Sequence, residues 1–215
     1  MSRQKSRSPA QQGRNRVADA VRKRGQSPYN LWLLQPPLQS DSILVNSDAK
    51  MELFYFLEGA PEVEEVDYTP LKEDEKSGNS VPVGFEHFAN ILSSGVRRKV
   101  LWTGASTSAP GRPEDLQIGF SELDANKMRV DNWRRVIPCI RRVRLHETSS
   151  IERQLSEWIP RNGASLQELV DAHSCIPQGV LLGVVGLLVR KRNWASDLDS
   201  APWSLHTCLR KKENV

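Results

Sequence analysis

The run from Val180 to Val189, VLLGVVGLLV, constrains this chain more than any other segment. Periodicity on either side of it predicts a helix over residues 178–191, and a helix apolar on every side has to be buried on most of its circumference. It is about half the ~20 residues a bilayer span requires, so it reads as a core helix, not a membrane anchor. Gly183 and Gly186 thin one side of it and allow close approach by another element, either the chain's own core or a protein partner. A chain of 215 residues is long enough to bury such a helix in one large domain or two small ones. With 38% hydrophobic and 26% charged residues it belongs with globular proteins, not with collagenous or wholly disordered ones. No apolar segment follows the basic N-terminus within signal-peptide distance, so no secretion is expected. Cys139, Cys175 and Cys208 are odd in number and lack CxxC spacing, which implies neither a disulfide framework nor a zinc site and fits a reducing cytoplasm.

Charge is unevenly placed. Residues 1–26 carry eight bases (Arg3, Lys5, Arg7, Arg14, Arg16, Arg22, Lys23 and Arg24) against Asp19, so this arm holds +7 while the whole chain is +4 and the remainder is −3. Between residues 47 and 76 the sign reverses, with Glu62, Glu64, Glu65, Asp67, Glu73, Asp74 and Glu75 among the acids. A second basic cluster follows at Arg129, Arg134, Arg135, Arg141, Arg142 and Arg144, and a third at Arg210, Lys211 and Lys212. Basic arms and stripes of this kind bind nucleic-acid phosphates, with affinity that falls steeply as salt rises. The plainer reading of each is a solvated face.

Residues 1–16 are too polar to offset the entropy of ordering and predict disorder. A short helix is expected over 17–24, then irregular chain from Leu31 to Val45 around Pro36-Pro37. Ser47 or Asp48 offers an N-cap, and Met51, Phe54, Tyr55 and Leu57 have the spacing of a helix face. Gly59 and Pro61 end that helix, a strand is expected over 62–70, a loop over 72–80, and a hairpin from 81–92 and 97–103 turning at Ser93-Ser94-Gly95. One helix is expected over 121–144, broken or kinked at Pro138. The last third predicts a helix around Ile151–Ile159, a second opened by Ser165 with Glu168 as its capping box, the apolar third helix, and two short strands within 193–210.

Residue patterns for nucleotide binding or nucleophilic catalysis are missing: neither GxGxxG nor GxxxxGK[ST] nor GxSxG occurs. His87, His146, His173 and His206 are scattered, and Glu73-Asp74-Glu75 lacks EF-hand spacing. Trp133, Trp158, Trp194 and Trp203 read as core anchors before they read as base-stacking platforms.

Residues 47–71, SDAKMELFYFLEGAPEVEEVDYTPL, are a different matter. Glu52, Phe54, Phe56, Leu57, Glu58, Pro61, Val63 and Thr69-Pro70 resemble the opening of the TnsA-like endonuclease subunits of heteromeric transposases. The order helix, helix, helix, hairpin in the last third is similar to that family's winged-helix region, so the resemblance extends over about residues 47–210. It implies an α/β (α+β) fold: a restriction-endonuclease-like mixed sheet flanked by helices over 27–146, after a disordered basic arm of 1–26, followed by a C-terminal winged helix over 147–215. In that PD-(D/E)xK family a helix glutamate, a strand aspartate and a later E-x-K bind metal and activate water. Here Val83-Gly84-Phe85 and Leu101-Trp102-Thr103 stand where the strand motifs are expected, and they supply none of the hard oxygen ligands that Mg²⁺ prefers.

Glu52 and Glu86 are the two carboxylates left as catalytic candidates, Glu86 by sharing a strand face with Gly84; the other reading of Glu52 is a helix-surface relic. Trp102 is expected to fill the former metal cleft. No cofactor is expected, with Mg²⁺ required if the site is active. Arg14, Arg16, Arg22, Lys23 and Arg24 of the arm and Arg190, Lys191 and Arg192 at the end of the third helix are the expected DNA contacts. The expected function is a DNA-binding accessory subunit working beside a DDE-type transposase and an ATPase regulator, with no membrane partner. An active metal-dependent endonuclease nicking element ends and a winged-helix DNA-binding regulator are the alternatives.

Overall fold

Local sequence chemistry sets most element boundaries in the computed structural model, which describes residues 30–71, 84–104 and 115–212. The basic arm, the short helix expected over 17–24 and the loop expected over 72–80 lie outside the described residues. Two three-residue strands, β1 (Trp32–Leu34) and β2 (Ile43–Val45), pair antiparallel where irregular chain was expected. Each is too short to establish an alternating pattern, which is why periodicity misses them. Ser47 caps helix α1 (Asp48–Gly59), its hydroxyl accepting the Lys50 amide at 3.2 Å. Met51, Phe54 and Leu57 are buried as their spacing predicts.

The central sheet has the order β3-β4-β5-β6, built from β3 (Val63–Asp67), β4 (Glu86–Ser93), β5 (Val96–Trp102) and β6 (Leu116–Ile118). The first three strands are antiparallel neighbours and β6 runs parallel to β5. The β4–β5 hairpin turns at Ser94 and Gly95, both at positive φ, as a two-residue primed turn requires. The fold is therefore mixed α/β, with a four-stranded mixed sheet flanked by helices.

Two helices replace the single one expected over 121–144. Helix α2 (Phe120–Ala125) ends at Asn126, and α3 (Lys127–Val143) runs uninterrupted through Pro138. Pro138 is exposed, so the carbonyl of Arg134, which loses its intrahelical donor, faces water and the loss is tolerated. On the other side of α3, Val130, Trp133, Val136, Ile137, Ile140 and Val143 are buried. The rest of the described chain runs α4 (Ser149–Trp158), β7 (Ala164–Ser165), α5 (Leu166–Ala172), α6 (Gln178–Arg190), β8 (Trp194–Ser196) and β9 (Cys208–Lys211). Strand β9 lies between β7 and β8, antiparallel to both. The capping box at α5 is formed: Ser165 Oγ accepts the Glu168 amide at 3.2 Å, and Glu168 Oε2 accepts the Ser165 amide at 2.7 Å.

Helix α6 is the apolar run, and it is buried as that composition demands, against α3. A Cβ built at Gly183 would stand 2.6 Å from the Cys139 carbonyl oxygen, and one at Gly186 would stand 2.9 Å from both Ile140 and Val136. The two glycines are what let the helix axes approach. The expected boundary at 146/147 falls between α3 and α4, and one buried cluster continues across it from Ile43 and Leu53 through Ile140 to Leu188 and Leu209. Asn132 ties the same seam from α3, its amide donating to the carbonyls of Leu198 and Ala201 at 2.7 and 2.8 Å while its oxygen accepts the Trp203 amide at 2.7 Å. Among the described residues no helix is long and apolar enough to cross a membrane.

The glycine seam yields a paired test by urea denaturation. Gly183→Ala gains roughly 1 kcal/mol of helix propensity but crowds a backbone carbonyl, a cost of about 1–3 kcal/mol, so its unfolding midpoint falls. Gly179→Ala, where nothing lies within 4 Å of the added carbon, raises the midpoint.

Candidate functional site

The stretch that carries the family resemblance folds into α1, β3 and the 3₁₀ turn Thr69–Leu71, with β4 beside β3. Glu52 and Glu86 are not brought together there. Glu52 Oε1 accepts from Lys127 Nζ of α3 at 2.9 Å, and Lys127 also approaches Asp131 at 3.8 Å. Glu86 Oε2 pairs instead with Lys50 Nζ at 2.5 Å, and that ammonium donates to Asn46 Oδ1 at 2.8 Å. Lys50 and Glu52 are two residues apart on α1, about 200° around its axis, so the side of the helix that meets Glu86 is not the side that carries Glu52. The two carboxylates occupy different sides of α1, each neutralised by its own lysine.

The strand-face argument for Glu86 also fails locally. Gly84, at φ +88, precedes β4 in a turn, and period-two alternation begins only at Glu86. A magnesium site built from hard oxygen donors requires carboxylates that converge, and this pair does not fit one. Among the described residues no three His, Cys, Asp or Glu side chains stand together as metal ligands. Bonding to Glu52 holds the Lys127 ammonium above its ordinary lysine value. Trp102 is buried and packs edge-on against Phe120 at 5.2 Å. Trp133 and Trp194 are core residues as expected, whereas Trp158 is 36% exposed and meets the His173 ring edge-on at 5.2 Å.

A polar chain that the sequence did not announce crosses β3 and β4. His87 Nε2 lies 2.9 Å from Asn90 Oδ1, and Asn90 Nδ2 lies 3.4 Å from Asp67 Oδ2. The other Asp67 oxygen accepts from the amide and hydroxyl of Thr69 at 2.9 and 2.5 Å. Residues 87 and 90 belong on opposite faces of a regular strand. The register shift between His87 and Ala89 brings them onto one face, and nothing in the sequence marks that bulge.

Two of the expected phosphate contacts at the end of α6, Arg190 and Arg192, are committed inside the molecule. Arg190 is 2% exposed; its Nε bonds Glu58 Oε2 at 2.5 Å and its Nη1 donates to the Glu64 carbonyl at 3.2 Å. Glu58 Oε1 in turn accepts from the Tyr68 hydroxyl at 3.0 Å, and burial with that carboxylate alongside pushes the phenol well up. Lys191 pairs with Glu152 at 2.9 Å. Arg192 donates from Nε and Nη2 to the Val63 carbonyl at 3.0 and 2.8 Å and from Nη2 also to the Ala60 carbonyl. Burial, with Arg190 close by, draws its guanidinium down to about 10. Arg190 and Arg192 are corrected to structural roles: the end of an apolar helix reads as exposed in sequence, but here it docks on the α1–β3 turn, while Lys191 stays at the surface beside Glu152. Arg14, Arg16, Arg22, Lys23 and Arg24 lie outside the described residues.

Arg192 also closes α6. Its amide bonds the Val189 carbonyl and the Asn193 amide bonds the Leu188 carbonyl, both at 3.1 Å, the hydrogen-bond pattern of a Schellman end. Its φ of 64° is one that glycine adopts more readily, and the bonds to Ala60 and Val63 offset that strain. Comparison with protein-family models, curated proteins and solved structures finds no match to this chain.

Two stability measurements follow from these bonds. Glu58→Ala strands a buried guanidinium and costs about 3–5 kcal/mol, whereas Glu58→Met with Arg190→Met, which removes both charges, recovers most of that loss in the urea midpoint. Both Arg192→Ala and Arg192→Gly lower the midpoint, and the alanine variant falls further because it keeps the left-handed strain without the anchoring bonds.

Proposed function

We propose that this chain is a DNA-binding accessory subunit of a transposase complex, TnsA-like in its scaffold and without nuclease chemistry of its own. The observation that carries the reading is the disposition of α1, which turns Lys50, not a carboxylate, toward Glu86 and leaves Glu52 paired to Lys127 on another side. A nuclease of the resembled kind requires acidic side chains converging on hard cations to polarise phosphate and generate hydroxide. Here each carboxylate is instead taken up by a lysine on a different side of α1.

Two further features support the reading. The residues that carry the resemblance lie on a helix, strand and turn leading into a mixed sheet, the order expected of a restriction-enzyme-like domain. The elements from α4 to β9, with β9 between β7 and β8, follow the connectivity of a winged helix, and we read them as one. In that reading α6 takes the place of the helix that commonly enters the major groove. Its burial against α3 argues against base readout and for contact through the phosphate backbone. The partners that suit such a subunit are DNA, a DDE-type transposase and an ATPase regulator.

The purified full chain, incubated with supercoiled plasmid and Mg²⁺ or Mn²⁺, is expected to leave the plasmid intact, and to co-purify with a DDE transposase encoded beside it. Metal-dependent nicking that Glu52→Ala abolishes overturns the reading in favour of an active endonuclease. Retention of DNA with no association with the transposase favours a simple DNA-binding regulator.

A further inference from the structure

Several basic side chains of the second half are already engaged. Arg129 bonds Asp199 at 2.7 Å and lies 5.1 Å from the Phe56 ring centroid, and Arg144 donates to the Gln39 carbonyl at 2.9 Å. Lys127, Arg190, Lys191 and Arg192 are bonded as described. Arg153, Arg161, Arg210, Lys211 and Lys212 are exposed at scattered places, whereas Arg134, Arg135, Arg141 and Arg142 share one exposed face of α3, and none of those four guanidiniums has an ion pair or hydrogen bond to another described residue. We infer that this stripe is a phosphate-binding surface that holds the backbone of duplex DNA. The inference rests on the DNA-binding reading above and gives it a location that Arg190 and Arg192, turned inward, do not provide.

The spacing makes a usable array. Arg134 and Arg141 are seven residues apart, as are Arg135 and Arg142; each pair is separated by about 10.5 Å along the axis and repeats at nearly the same angle. The two rows flank Pro138, so no amide or carboxylate stands between them to read base edges. The stripe cannot turn inward, because the opposite side of α3 is held in the core by Trp133, Val136 and Ile140 and by the close approach of α6. Acids nearby are occupied: Asp131, at the start of the same face, lies beside Lys127, and Asp48, within electrostatic reach of Arg134, accepts from Asn30 and from Trp32 at 2.7 Å. Planar guanidiniums match phosphate oxygens in a bidentate fork, which favours this ligand over a diffuse acidic surface. Leu145, 88% exposed just beyond the stripe, is the one feature that suits a protein partner better.

The test measures affinity of the full chain for two short duplexes of unrelated sequence by fluorescence anisotropy, between about 50 and 200 mM salt. Replacing Arg134, Arg135, Arg141 and Arg142 together by Gln is expected to make the slope of log affinity against log salt shallower by about 3.6, roughly 0.9 for each phosphate no longer neutralised. The weakening should be equal on both sequences, with the thermal unfolding midpoint unchanged because the four side chains touch no core. A full-chain variant with Arg14, Arg16, Arg22, Lys23 and Arg24 replaced by Gln should keep that stripe-dependent share of the slope. An unchanged slope in the stripe variant overturns the inference while leaving the DNA-binding reading in place. Failure of the parent chain to bind either duplex overturns both. Loss of transposase association with DNA affinity retained assigns the stripe to a protein partner and overturns the inference as well.

Discussion

The buried pair of Glu58 and Arg190 is the constraint around which the two halves of this protein are arranged. Charges taken out of water are costly unless they meet a partner in good geometry, so the carboxylate at the end of α1 and the guanidinium at the end of α6 each require the other. Tyr68 fills the remaining acceptor capacity of the carboxylate from the end of β3, and the Glu64 carbonyl takes a further guanidinium proton. The stretch from Glu58 to Tyr68 and the end of α6, more than 120 positions away, therefore meet at one point. Arg192 extends the same junction by gripping the carbonyls of the α1–β3 turn.

From that junction the position of α6 follows, and from α6 the character of the surface. Held at its C-terminal end by charge and along its length by the glycine contacts with α3, the apolar helix becomes the interior of the molecule. A helix in that position presents little to a major groove. Burying one side of α3 against it leaves the other side to solvent, and that side carries the arginines. The same packing that removes one set of bases from the surface thus fixes the orientation of another.

At the α1–β4 contact Glu86 meets Lys50, while Glu52 on another side of α1 meets Lys127. Surface ion pairs such as Lys50 with Glu86 and Lys127 with Glu52 contribute little stability. Their effect is chemical: each carboxylate already has a cation, and the two face away from one another.

Much of the fold was legible in the residues. Ser47 and the Ser165–Glu168 box marked helix starts, Ser94-Gly95 marked the hairpin, and the run around Gly183 and Gly186 announced a helix that had to be buried with something close against it. These features act over a few residues, where propensity, capping and periodicity are sufficient. The site was less legible. The family resemblance suggested that Glu52 and Glu86 shared a groove, and the position of the bases after Val189 at a helix end suggested that they were free, while Glu58 gave no sign of burial. Which element packs against a given helix face, and at what angle, is settled by contacts between residues more than a hundred positions apart, such as Glu58 with Arg190, and by a bulge that turns His87 toward Asn90. The sequence by itself determined which segments become helix or strand and that one helix must be interior. Only the tertiary structure decided which charges were neutralised and which were left facing water, because a charge's availability depends on its neighbours in space.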